Sequence, residues 1–233
     1  MSPGLFAART NEPEVVLPEH RGLKQAEGWN AEDFAREQIR GLVRKVFFSR
    51  VERPVRQVVF SPADPETDVQ NLCWRVGEAL ALETGKSIAL LGEYPQALQD
   101  AQPNVTAPSE NIGGCNAKLR RTARRVRGNL WLVPSAAKEG DPITSMLLHS
   151  YLGEIRTQYE YSIVAGPSVA ESNAATAMAQ LADGIILVLS AQHTRRITAR
   201  KVKEQLEAAQ ARLLGTVLSD RVFPIPERIY RRL

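Results

Sequence analysis

Cysteine is almost absent: Cys73 and Cys115 are the two in a chain of 233 residues. They lie far apart and fit no metal or redox spacing, so they read as two reduced thiols. Long apolar runs are missing too, and none approaches the roughly 20 residues needed to cross a bilayer. The N-terminus, MSPGLFAARTNEPEVV, has no basic start followed by an apolar stretch, so it does not read as a secretory signal. A cytoplasmic location is the expectation. His20, His149 and His193 stand alone, with no cysteine, histidine or carboxylate at ligand spacing. Ser135, Ser162 and Ser190 fall at strand ends, but no G-x-S-x-G elbow surrounds them. Metal-dependent and nucleophilic hydrolysis therefore have little support.

What is present is ordinary for a soluble globular domain: 43% hydrophobic and 24% charged residues. The length suits one large α/β domain with extensions. The formal charge of +4 and pI of about 9.2 are a mild bias, short of a dedicated nucleic-acid binder.

Residues 1–30, with Pro3, Pro13 and Pro18, read as a flexible tail. A helix is expected from about Ala31, with Asn30 as N-cap and Glu32 and Asp33 in its first turn. Phe34, Ile39, Leu42, Val43, Val46 and Phe47 share one face of it. Apolar runs then predict six strands, at 57–61, 87–93, 129–135, 161–166, 184–190 and 212–220. Helices are expected at about 69–83, 142–159, 171–181 and 194–211. Valine-, isoleucine- and leucine-rich strands without alternation, separated by helices, indicate a mostly parallel sheet covered on both faces. The fold class is thus α/β and doubly wound, with the domain at 31–220 and a docking tail at 221–233. In such folds ligands bind beyond the carboxyl ends of the strands, here the loops 61–69, 92–96 and 165–170.

The order of these segments resembles the bacterial tyrosine kinases that partner polysaccharide co-polymerases, within the wider MinD/ParA-like group of P-loop ATPases. The block LADGIILVLSAQHTRRITARKVKEQLEAAQARLLGTVLSD looks most like that family, and the resemblance runs from about Glu37 to the end. EQIRGLV matches the family's E-x-x-R-x-x-R helix at Glu37 and Arg40, with Val43 third and Arg44 just after. The resemblance implies that this helix mediates subunit association. The family's P-loop, of the form TSAEPGEGKST, aligns with SPADPETDVQN, where Ala63 and Pro65 match. GKSIALLG, from Gly85, and EYSIVAGPSV, 160–169, align with its second and third motifs.

A working P-loop needs glycines that let backbone N–H groups wrap phosphates, a lysine that reaches the β/γ-phosphates and a hydroxyl for Mg²⁺. Across Asp64, Pro65, Glu66, Thr67, Asp68, Val69, Gln70 and Asn71, Glu66 and Asp68 replace glycines. Val69 replaces the lysine, and Gln70, followed by Asn71, stands at the hydroxyl. Gly92, followed by Glu93, replaces the second motif's aspartate. Ala165, followed by Gly166 and Pro167, replaces the third. Phosphoryl transfer rests on positioning and charge neutralisation by metal and lysine, so the expectation is a pseudoenzyme with no catalytic residues and no cofactor. One alternative is a divergent ATP-dependent tyrosine kinase or ATPase in which Glu93 takes over metal binding after a one-residue shift.

The family's terminal tyrosine cluster is reduced to Tyr230, read as part of a docking patch with Phe223, Ile225 and Ile229 or as a phospho-acceptor. Lys118, Arg120, Arg121, Arg124, Arg125 and Arg127 form a basic run that, if helical, would stack 120/124 and 121/125 into a stripe. That stripe reads as a solvated face, or as a site for an anionic membrane, an acidic partner or nucleic acid. The lack of interleaved aromatics argues against single strands. The resemblance implies a regulatory or scaffolding subunit of exopolysaccharide or capsule synthesis and export, homo- or hetero-oligomeric, docked on a membrane co-polymerase or an active kinase subunit. Peripheral association with the inner face of the plasma membrane would follow. A MinD/ParA-like positioning protein is the other alternative.

Overall fold

The computed structural model describes residues 31–49, 53–94, 123–134 and 145–220. The tails at 1–30 and 221–233, with Tyr230, lie outside the described residues, as do Lys118, Arg120, Arg121 and Cys115. The elements run α1 (Ala31–Phe47), β1 (Gln57–Pro62), α2 (Gln70–Thr84), β2 (Ile88–Leu91), β3 (Arg124–Arg127), β4 (Leu130–Val133), α3 (Ser145–Gln158), β5 (Tyr161–Ala165), α4 (Asn173–Leu181), β6 (Gly184–Ser190), α5 (Arg196–Ala208) and β7 (Leu213–Ser219).

The strands form one sheet of order β3-β4-β2-β5-β1-β6-β7. Every pairing is parallel except that of β3 with β4, whose register slips between Arg125 and Arg127. The central strands are buried on both faces, which is why they read as continuous apolar runs. On one face Val58, Phe60, Ile88, Leu90, Ile163 and Ile186 meet Val43 and Phe47 of α1 and Cys73, Val76 and Leu80 of α2. On the other, Val59, Leu91, Val164 and Ile185 meet Leu152 and Ile155 of α3, Met178 of α4 and Val202 and Leu206 of α5. Each such side chain contributes about 1.5–3 kcal/mol on burial. The doubly wound architecture expected from the sequence is therefore present.

Two local features set the frame. Gly85 ends α2 at φ 64°, donating its N–H to the Ala81 carbonyl at 3.1 Å, a left-handed cap that glycine adopts without strain. The chain leaves β1 through α2 towards β2, while β6 lies on the other side of β1. This reversal opens the crevice at the carboxyl ends of β1, β5 and β6.

The basic run departs from expectation. Arg124–Arg127 is an edge strand, not a helical turn. Successive side chains on a strand point to opposite faces, so Arg124 and Arg125 are not part of a helical stripe, and their expected stacking partners at 120 and 121 lie outside the described residues. The sheet accordingly has a seventh strand that hydrophobic pattern does not reveal. Among the described residues, no helix is long and apolar enough to cross a membrane.

Candidate functional site

The loop between β1 and α2 is held by its own side chains. Ala63 donates its N–H to the Val188 carbonyl of β6 at 2.9 Å. The Asp64 carboxylate accepts from the Thr67 hydroxyl at 2.8 Å and, on its other oxygen, from the Thr194 hydroxyl. Thr194 Oγ1 in turn accepts from the Ser190 N–H at 2.8 Å, and Ser190 Oγ accepts from the N–H groups of Gln192 and His193. Asp64 thus ties the β1 loop to the loop after β6. Glu66 Oε2 lies 3.4 Å from His193 Nδ1. Both side chains are exposed, so this second link adds little.

At the start of α2, Asp68 Oδ1 accepts the Gln70 N–H at 2.8 Å. Val69 already has helical angles, φ −100° and ψ −16°, and its carbonyl accepts from Cys73 N at 2.9 Å. Asp68 therefore acts as the capping residue, placing a carboxylate at the end of the helix where the backbone partial charge is positive. The Val69 side chain is buried among Cys73, Val76 and Tyr94. Pro65 and Asn71 are exposed, and Gln70 is half-buried.

The ends of β2 and β5 carry the two positions where the resemblance expects aspartates. Leu91 pairs with Val164, which brings Gly92 beside Ala165. A Cβ on Gly92 would lie 3.0 Å from Ala165 Cβ and 3.4 Å from the Tyr94 ring. Tyr94 is buried and stacks obliquely on Trp74 at 6.3 Å. Burial pushes its phenol well above the usual range, and the nearby Cys73 and Asp68 add to the effect. Burial likewise raises the Cys73 thiol, with Asp68 reinforcing it. Asp68, Cys73 and Tyr94 thus lie close together, and an aromatic ring lies against the strand end. Across the sheet, Leu91, Gly92, Tyr151, Val164 and Met178 line a cavity of about 10 Å³, room for about one water molecule.

The loop after β5 is stitched to β1. Gly166 donates to the Phe60 carbonyl at 2.8 Å, Val169 donates to that of Pro62 at 3.0 Å, and the Ser61 hydroxyl donates to the Pro167 carbonyl. A Cβ on Gly166 would meet Val59 Cγ1 at 2.9 Å, so only glycine fits this approach.

The fold therefore brings the 64–71 loop, Gly92, Ala165, Gly166 and Pro167 to the carboxyl ends of the central strands β1, β2 and β5, with Glu93 exposed beside them. Thr194, Ser190, His193 and Tyr94 join them, which motif alignment alone missed. Polar Ser190 closing a buried strand, four residues before a threonine, is the signal that could have found the first two. Among the described residues no group of three or more histidines, cysteines and carboxylates could hold a metal ion. The expected association residues lie elsewhere and are paired within the chain: Arg40 with Glu37 at 3.8 Å and Arg44 with Glu83 of α2 at 3.5 Å. In the basic run, Arg127 pairs with Glu78 at 3.2 Å and Arg125 lies over the Trp131 ring at 5.8 Å.

No family model and no curated protein matches the sequence. Solved structures do. The chimerical protein CapA2B2 is 18% identical, with a TM-score of 0.59 over 78% of this chain and 83% of that one. The kinase domain of the Escherichia coli tyrosine kinase ETK is 15% identical, with a TM-score of 0.59 over 82% and 79%. The cell division protein MinD of Aquifex aeolicus is 18% identical, with a TM-score of 0.51 over 70% and 69%. At these identities the likeness is one of fold: this chain has the fold of bacterial tyrosine kinase domains and MinD/ParA-type P-loop ATPases.

Proposed function

We propose that this chain is a catalytically silent counterpart of the bacterial tyrosine kinases, acting as a regulatory or scaffolding subunit in exopolysaccharide or capsule synthesis and export. The observation that carries this is at the start of α2. Asp68 occupies the Gln70 N–H with its own carboxylate, and the residue at the lysine position, Val69, is buried in the core. A nucleotide tail approaching this loop would meet Asp64, Glu66 and Asp68. Each like-charge pair at about 4 Å costs about 1 kcal/mol even in bulk water. No carboxylate stands at Gly92 or Ala165 to hold Mg²⁺, and the two are already in close approach.

Partners follow from the same resemblance: the cytoplasmic tail of a membrane polysaccharide co-polymerase, or an active kinase subunit. Glu37 and Arg40 on α1 would contribute to self-association. Regulation would then come from occupancy of these interfaces.

Calorimetric titration with ATP and ADP, with and without Mg²⁺, tests the loss of nucleotide chemistry. No heat and no thermal shift at millimolar nucleotide are expected. A site with a Kd of about 10 µM would instead add about 2.7 kcal/mol at about 1 mM ligand, raising Tm by roughly 5–10 °C. Mg²⁺-dependent binding of that strength would overturn the proposal in favour of an active, divergent ATPase, with Glu93 the first residue to replace.

A further inference from the structure

The basic clusters on α1 and β3 are largely answered within the chain. Arg36 pairs with Glu32 and Asp33, Arg40 with Glu37, Arg44 with Glu83 and Arg127 with Glu78. The first half of α5 differs. Arg195, Arg196, Arg200 and Lys201 are exposed within seven residues that contain no acid. Arg200 reaches Glu204 at 3.6 Å with its side chain 81% exposed. Arg195, Arg196 and Lys201 carry no ion pair among the described residues. Ile197, 64% exposed, stands among them and shares a helical face with Arg200 and Lys201 by its i, i+3 and i+4 spacing. The opposite face of α5 is anchored by Val202 and Leu206. The helix has no acidic residue in its first turn and no side-chain cap, so its cations oppose the helix dipole. This face starts just after the carboxyl end of β6, the neighbour of the β1 strand that the 63–69 loop follows.

We propose that the outer face of the first half of α5 is a docking surface for an anionic phospholipid bilayer. Unneutralised cations around one exposed aliphatic side chain match an interface of negative headgroups with an apolar layer beneath. A nucleic-acid backbone offers no place for Ile197. Each cation near such a surface strengthens attachment about fivefold. The three unpaired cations give a weak, reversible, salt-sensitive attachment that oligomers multiply. This inference gives the scaffold proposed above its membrane-facing side, yet vesicle binding and nucleotide binding are separate assays, and either can fail alone.

Co-sedimentation of the full chain with phosphatidylcholine vesicles, with and without phosphatidylglycerol, tests it. Binding is expected to the anionic vesicles only and to fade as salt screens it. The triple variant Arg195→Gln, Arg196→Gln, Lys201→Gln should bind roughly a hundredfold more weakly. It should melt no lower than the unaltered protein, because two of the removed charges, Arg195 and Arg196, stand at the positive end of the helix and Lys201 carries no ion pair among the described residues. The triple Lys118→Gln, Arg120→Gln, Arg121→Gln should retain binding. Equal binding to neutral vesicles, equal loss in both triples, or duplex DNA retained while vesicles are left alone would each overturn the proposal.

Discussion

Among the described residues Asp68 makes one hydrogen bond, and that bond starts a helix. Replacing it with alanine leaves the Gln70 N–H to water and removes a carboxylate from the positive end of α2. Asp68→Ala should cost about 1 kcal/mol, seen as a lower urea midpoint at unchanged slope. Asp68→Asn keeps the acceptor and should cost less. An equal loss in both would mean that charge, not capping, stabilises the turn. The sequence made the charge inversion at Glu66 and Asp68 legible, since it needs only residue identities. The cap was not legible, because the aligned motif speaks of phosphate ligands, whereas the cap depends on which backbone N–H the carboxylate reaches in the fold. Thr194 was hidden for a related reason: 130 positions separate it from Asp64, and nothing local marks the pair.

Asp183 holds three elements at the opposite end of the sheet. Its Oδ2 accepts the N–H groups of Arg56 and Gln57 at 2.7 and 2.8 Å, while Oδ1 pairs with Arg156 of α3 at 2.8 Å. Gln57 is 1% exposed, so removing the carboxylate strands a buried donor and unpairs Arg156, whose guanidinium keeps access to water. Asp183→Ala should cost about 3 kcal/mol and lower Tm by roughly 6–12 °C, measured by calorimetry. A change under about 2 °C would show that water replaces the carboxylate without loss. The strands this residue joins were legible because their apolar runs are longer than chance allows in a loop. Strand β3 was not, because RRVR is an edge whose pairing uses backbone groups and leaves arginines outside. Short strand length, three arginines and a slipped register also guard that edge against pairing with other chains.

Over the whole molecule, three phenols report on integrity. Burial holds Tyr94 and Tyr151 far above the ordinary tyrosine range and raises Tyr159 from 10.0 to about 12. Below pH 10 folded and unfolded chains both keep these protons, and the stabilisation is complete. As pH rises from 10 towards 12, the unfolded chain releases the Tyr159 proton while the folded one keeps it. Stability therefore falls, by up to about 1.4 kcal/mol per pH unit for each such tyrosine. The urea midpoint should drop above pH 10, and buried tyrosinate absorbance should appear together with loss of the helical signal. Tyrosinate formation from these residues in a chain that keeps its helical signal would contradict their burial.

The link from Asp64 to Thr194 has one further consequence. Thr194 directly precedes Arg195, so the residue that closes the β1 loop also sets where α5 begins. An internal carboxylate does here what a bound ligand does in a loop that opens and closes, and it never departs. On the function proposed above, the orientation of α5 is fixed once, when the chain folds, and is not reset by each arriving molecule. A protein silent in the way proposed would keep no time; what it conveyed would depend on how many copies are made and where they come to rest.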